Sequence, residues 1–334
     1  MIVGVIGGGQ LGRMLALAGI PLGLSFRFLD PSPDAPAGEV GELLVGAYDD
    51  TEQLDRLADG AAAVTYEFEN VPVEAARRVG ALPDAAALEA AQDRLVEKQL
   101  LERLGIPTPA FGDVPPPAVV KTRRLGYDGK GQRVERGEYT TAEGELAEEL
   151  LVFDRELSLL AVRGRDGDTR FYPLVENVHE NGILRTSRAP AGNAPQAEAE
   201  EHATRLLDEL GYVGVLALEL FDVGGRLLAN ELAPRVHNTG HWTIEGAATS
   251  QFENHLRAIL GWPLGSIASR PSLLFNLIGT VPAAEDVLAV AGAHLHLYGK
   301  EPRPGRKLGH ITLVEPTVDR VAAVERLLGR GRPL

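Results

Sequence analysis

The chain has 334 residues, 44% hydrophobic and 24% charged, enough to bury a sizeable core and to build two or three domains. Lysine and arginine number 33 against 47 aspartates and glutamates; a net charge of −14 without a basic run argues against a nucleic-acid partner. Cysteine is absent, which excludes disulfides, thiolate metal sites and cysteine nucleophiles.

Met1 leads straight into I-V-G-V-I-G, too short and glycine-broken for a signal segment. No run reaches the roughly 18 apolar residues of a membrane span, so a cytoplasmic protein without a membrane partner is expected. Apolar strands then alternate with helical patterns through F-R-F-L-D, ending at Asp30, and T-Y-E-F-E-N at 65–70. This βαβ rhythm predicts a parallel sheet. Gly7, Gly9 and Gly12 stand between the first strand and its helix in a spacing that lets backbone amides reach an anion. With Asp30 they fit a dinucleotide turn, but a glycine-rich first turn in an α/β fold is more often a packing device.

A charged helix is predicted from Asp93 to Leu104, stopped by Gly105 and Pro107, and a new domain is expected from about residue 91. The prolines at 115–117 lead into a short strand ending at Lys121. The loop that follows carries Gly126, Gly129 and Gly131 around Tyr127, Asp128 and Lys130, and Gln132 closes it. Such a loop can fold over phosphates with Lys130 supplying charge, or form an ordinary Asp-Gly hairpin. Within 148–162 an apolar run is bounded by acids; its Glu149–Leu151 backbone could meet an adenine edge, with Glu156 left for ribose, or it could be an edge strand.

In V-L-A-L-E-L-F-D-V, alternation sets Glu219 opposite in facing to Leu216, Leu218 and Leu220. Gly224-Gly225 reads as a hairpin turn into N-E-L-A-P-R-V-H-N-T-G at 230–240. Glu219 and Glu231 on paired strands suit magnesium shared with a nucleotide, the alternative being two solvated glutamates. Arg235 and His237 project to one side beside Asn238, a geometry for a small planar anion. His202, His255, His294 and His296 are read as structural or surface residues. A second boundary is expected near residue 265, and beyond it Lys300, Arg303, Arg306 and Lys307 form a cationic cluster fit for a phosphorylated substrate, or a solvated basic turn.

Taken in order, G-G-G-Q-L-G-R-M at 7–14, T-Y-E-F-E-N, D-R-L-V-E-K at 93–98, G-Y-D-G-K-G-Q at 126–132, N-E-L-A-P-R-V-H-N-T-G-H-W-T at 230–243 and R-K-L-G-H at 306–310 resemble the ATP-grasp enzymes. Among these the resemblance is to the N5-carboxyaminoimidazole ribonucleotide synthase family, and it covers nearly the whole chain.

The resemblance implies a mixed α/β and α+β architecture: a Rossmann-like domain at 1–90, an ATP-grasp domain at 91–265 with a lid at about 108–175, and a small C-terminal domain at 266–334. It implies a ligase that uses ATP and bicarbonate, through carboxyphosphate, to carboxylate 5-aminoimidazole ribonucleotide in purine biosynthesis. ATP would meet Arg94, Lys121, residues 126–132, Glu148, Glu149, Leu150, Leu151, Glu156, His179, Asn230 and Glu231. Magnesium, with manganese as an alternative, would sit on Glu219 and Glu231. Arg235, His237 and Asn238 would hold bicarbonate, and Asp128 or Lys300 would handle the amine proton. Gln10, Glu67, Glu69, Lys300, Arg306 and Lys307 would line the substrate side, and a homodimer is expected. Many ATP-grasp proteins carry E-x-N-P-R; here Ala233 replaces that asparagine, so a third protein ligand to the metal is not expected. Rival readings are a nicotinamide dehydrogenase, an ATP-grasp carboxylase acting on biotin, and a nucleotide-binding module without turnover.

Overall fold

The computed structural model describes residues 1–126 and 130–329. Its first sheet contains β1 (Ile2–Ile6), β2 (Ser25–Asp30), β3 (Glu42–Val45) and β4 (Ala61–Tyr66), all parallel, in the order β3-β2-β1-β4. Four successive residues of β1, Val3 to Ile6, are buried, as expected of a parallel strand covered on both faces. The helix Gln10–Gly19 leaves β1 through the glycine-rich turn.

Between the first and second halves runs the helix Arg94–Arg103, with Asp93 as its N-cap accepting from the Leu95 amide at 3.1 Å. A small antiparallel sheet follows: β5 (Ala118–Thr122), β6 (Gln132–Glu135) and β7 (Glu145–Glu149), in the order β6-β5-β7.

The third sheet is the largest. It holds β8 (Arg155–Arg163), β9 (Thr169–Phe171), β10 (Val175–Glu180), β11 (Ile183–Ala189), β12 (Gly214–Val223), β13 (Arg226–Ala233), β14 (Ser272–Ile278), β15 (Ala293–Leu297) and β16 (Lys307–Val314). Their order is β13-β12-β8-β10-β11-β14-β16-β15, with β9 beside β8. The sheet therefore runs unbroken across residue 265, because β14 pairs with both β11 and β16. β8 lies between β12 and β10, so it is an internal strand rather than an edge.

Gly224 and Gly225 connect β12 to β13 with φ of 61° and 85°, the left-handed pair that matches strand twist in a two-residue hairpin. One apolar cluster joins the first sheet to the third, with Val3, Val5, Phe26 and Phe28 packed together with Leu160, Val162, Trp242, Phe252 and Leu256. His255, on the helix Gln251–Leu260, ties the same two units by hydrogen bonding. The Val215 amide donates to its Nδ1 at 3.1 Å, which leaves Nε2 to donate to Thr65 Oγ1 at 2.9 Å.

Candidate active site

A cavity of about 530 Å³ opens between the small sheet and the large one. Its floor is the β12–β13 hairpin, whose register places Glu219 directly opposite Glu231. Burial first, and then the charge of Glu231, push the Glu219 carboxyl up to about 7. Arg94 Nη1 reaches Glu231 Oε2 at 2.7 Å, and His237 Nε2 lies 3.3 Å from Glu219 Oε1.

The segment after β13 brings Arg235, His237 and Asn238 to the same wall. Arg235 pairs with Glu69 through Nε, which fixes the guanidinium plane. Gln251 clamps His237 by accepting from its amide (2.9 Å) and donating to its carbonyl (2.6 Å). Burial, then the neighbouring Arg235, hold the His237 imidazole well below its ordinary pKa, so it is neutral. Among the described residues, the buried Asn238 Nδ2 has no acceptor.

At the other end, Lys121 Nζ donates to Glu148 Oε2 (2.9 Å) and Asn230 Oδ1 (3.3 Å). Burial pushes the Glu148 carboxyl up, but Lys121 and Lys98 outweigh it and hold the group below its ordinary value. His179 pairs with Glu156; that pairing outweighs burial and raises the imidazole. Gly126, Lys130, Gln132, Glu149, Leu150 and Leu151 also line the cavity. Gly131 sits just behind, at φ +74°, where an added Cβ would come within 2.5 Å of Thr122 Oγ1. Tyr127, Asp128 and Gly129 lie outside the described residues.

On the remaining side Gln10, Glu69 and Lys307 line the cavity. Lys300 donates to Gln10 Oε1, and burial, only partly offset by Glu67, lowers its pKa. Arg306 donates to the Glu301 carbonyl at 3.1 Å, in the turn before β16. Glu67 stands behind this wall. Its carboxylate accepts from the Gly9 and Gly12 amides at 2.5 and 2.6 Å, so the glycine-rich turn is filled by the protein's own anion. Asp30 likewise accepts from the Gly8 amide at 2.8 Å. The amides that would cradle a dinucleotide are spent, and the dehydrogenase reading loses its site.

Three contributors were not singled out from the sequence. Lys98 is fully buried and donates to Thr108 Oγ1 (2.8 Å) and the Asn230 carbonyl (2.9 Å), fixing the strand that carries Asn230 and Glu231. Its signal was present: Arg94 and Lys98 are four apart on one helix face. Phe153 and Phe221 stack at 4.7 Å on the apolar side of the cavity, and each directly precedes an aspartate in its strand-end sequence. Among the described residues no group of three or more His, Asp or Glu side chains is placed to hold a metal. Ala233 packs into the apolar core.

Two facing carboxylates under a small antiparallel sheet, with lysine and arginine at the rim, define an ATP-grasp ligase. Residues 99–252 match the ATP-grasp domain model, residues 1–92 the ribonucleotide synthetase pre-ATP-grasp domain, and residues 272–324 the phosphoribosylaminoimidazole carboxylase C-terminal domain. A Pseudomonas aeruginosa protein named N5-carboxyaminoimidazole ribonucleotide synthase is 54% identical over 94% of both chains. The crystal structure of the Thermus thermophilus synthetase superposes with a TM-score of 0.91 at 55% identity, covering 100% of this chain and 99% of that one. An Aspergillus clavatus synthase in complex with ADP and 5-aminoimidazole ribonucleotide gives 0.87 at 31%, with 98% of each covered. The chain belongs to the N5-carboxyaminoimidazole ribonucleotide synthase family.

Proposed function

We propose that the protein carboxylates the exocyclic amine of 5-aminoimidazole ribonucleotide with ATP and bicarbonate, giving N5-carboxyaminoimidazole ribonucleotide, ADP and phosphate in purine biosynthesis. The observation that carries this reading is the Glu219–Glu231 pair set beside Arg235, His237 and Asn238 in one cavity. ATP binding alone has no use for that second group. The family membership supports the same reaction.

ATP lies along the cavity with its base against Leu150, Leu151, Phe153 and Phe221 and its phosphates toward Arg94 and Lys121. Lys121 and Arg94 then exchange their carboxylate partners for phosphate oxygens, at little desolvation cost because both are already partly buried. Glu219 and Glu231 fit magnesium or manganese: both donors are hard oxygens, and the Glu219 carboxyl, raised by burial and then by the charge of Glu231, is one that a cation would return to its charged form. The ion, when bound, supplies charge neutralisation of the phosphoryl group. Arg235 receives bicarbonate bidentately, and Asn238 Nδ2 donates to one of its oxygens. Neutral His237 holds the anion without adding a competing cation. Bicarbonate so oriented attacks the γ-phosphate to give carboxyphosphate.

On the substrate side Gln10, Glu69 and Lys307 face the ribonucleotide. Lys300 and Arg306 hold its phosphate, with Glu67 supporting Gln10 and its turn from behind. Asp128 or Lys300 handles the amine proton, and Tyr127, Gly129 and Lys130 belong with Asp128 to the proposed ATP contacts. A cytoplasmic homodimer completes the proposal; among the described residues no helix is long and apolar enough to cross a membrane.

The test is ADP release in the presence of ATP, magnesium and bicarbonate, with and without the ribonucleotide. Stimulation by 5-aminoimidazole ribonucleotide is expected; ADP release indifferent to it would remove the assignment.

A further inference from the structure

Behind the bicarbonate wall lies a buried cluster that the reaction just described does not use. The rings of His241 and His310, both fully buried, stand 5.1 Å apart, and His296 stacks on His310 at 4.6 Å and 14°. Tyr298 OH is hydrogen-bonded to His310 Nδ1 at 2.7 Å, and the Tyr298 ring meets His241 edge-on at 6.3 Å. His296 Nε2 lies 2.5 Å from Glu245 Oε1, a second tie from the same hairpin to the segment that begins at His241.

The position of this cluster gives it a role. His241 is three residues beyond Asn238, and Gly240 between them is so enclosed that a Cβ would meet Leu160 at 2.4 Å. Tyr298 is two residues before Lys300, and its amide donates to the Leu308 carbonyl at 2.9 Å, next to Lys307. One buried ring system thus touches both the segment that orients bicarbonate and the hairpin that carries the substrate-side lysines. Apolar side chains would fill such a space at less cost, since His241 Nε2 and His310 Nε2 are buried without partners. A directional hydrogen bond fixes a distance that apolar packing leaves adjustable.

We propose that Tyr298 and His310 are positioning residues: their hydrogen bond, backed by His241 and His296, sets Lys300 against the bicarbonate segment so that the activated carboxyl group reaches the amine before it is lost to water. The inference rests on the function proposed above. It makes coupling, rather than ATP cleavage, the property this cluster controls.

Tyr298→Phe and His310→Phe remove the bond from opposite sides while keeping ring volume. ADP and labelled carboxylated ribonucleotide are measured in the same reaction, with melting curves alongside. For each variant the product formed per ADP is expected to fall to below about half of wild type, and the KM for ribonucleotide to rise ~10-fold, short of the ~100-fold that a 1 Å misplacement can cost. The KM for ATP and the ribonucleotide-independent ADP release should stay at wild-type values, and the double variant should be no worse than either single one. Wild-type coupling with unchanged KM would overturn the inference, as would a parallel fall of both products, which mere loss of folded enzyme gives. A wild-type enzyme whose ADP release ignores the ribonucleotide would instead sink the underlying function.

Discussion

Gly9 has no room for a side chain, because a Cβ there would stand 2.4 Å from Glu67 Oε1. The carboxylate is held by two amides and cannot swing away without leaving both unpaired. Gly9→Ala is therefore expected to destabilise the fold by about 1–3 kcal/mol, the usual cost of overpacking. Urea unfolding checks it, and an unchanged midpoint would show that Glu67 is less firmly held than its contacts imply. At Glu231 the expectation concerns chemistry. Glu231→Gln removes the charge of one of the two proposed metal carboxylates and of the partner of Arg94, so turnover should drop at least ~100-fold. Metal-free nucleotide binding, followed by calorimetry, should persist; full turnover in the variant would take Glu231 out of the metal site.

Among the elements, the helix Arg94–Arg103 shows how a cap can serve a site. Asp93 accepts from the Leu95 amide and pairs with Arg123 through both carboxylate oxygens, at 2.9 and 2.7 Å. The helix start is thereby tied to the strand end that precedes the glycine loop, and Arg94 is aimed into the cavity. Asp93→Ala should cost about 1–2 kcal/mol as a lost cap and should raise the KM for ATP several-fold, read from steady-state kinetics; a stability loss with unchanged KM would make the cap purely structural. Helix, strand alternation and the Gly224-Gly225 turn were legible in the sequence because each is a local pattern. That Glu219 and Glu231 lie on paired strands was legible for the same reason, but their facing was not: a strict two-residue hairpin would set Glu219 opposite Asn230, and a register shift between Glu219 and Leu220 brings Glu231 there instead. Glu67 inside the glycine turn, 55 residues from Gly12, and the rings of His241 and His310, 69 apart, have no local signature. They exist only once the sheets have been assembled.

For the whole molecule, burial leaves His241, His255 and His310 uncharged, with His255 pulled down to about 4. The unfolded chain takes up these protons near 6.5, whereas the folded protein does not until far lower pH. The stability these histidines contribute is therefore full above about pH 6.5 and is lost as pH falls toward 4, with His255 alone accounting for roughly 3 kcal/mol, while the raised carboxyls of Glu97 and Glu219 act in the opposite sense. Between pH 7 and pH 4.5 the urea midpoint of His255→Gln, though lower at pH 7, should lose ground to acid less than that of the wild type. An equal slope in the variant would relieve His255 of this role. The large sheet carries one more implication at this scale. Glu219 and Glu231, on β12 and β13, and the hairpin of β15 and β16 belong to a single hydrogen-bonded surface from β13 to β15, while the small sheet β6-β5-β7 shares no strand with it. One continuous frame therefore carries both carboxylates and the substrate-side hairpin, and the small sheet that forms the opposite wall of the cavity is joined to it by no strand pairing.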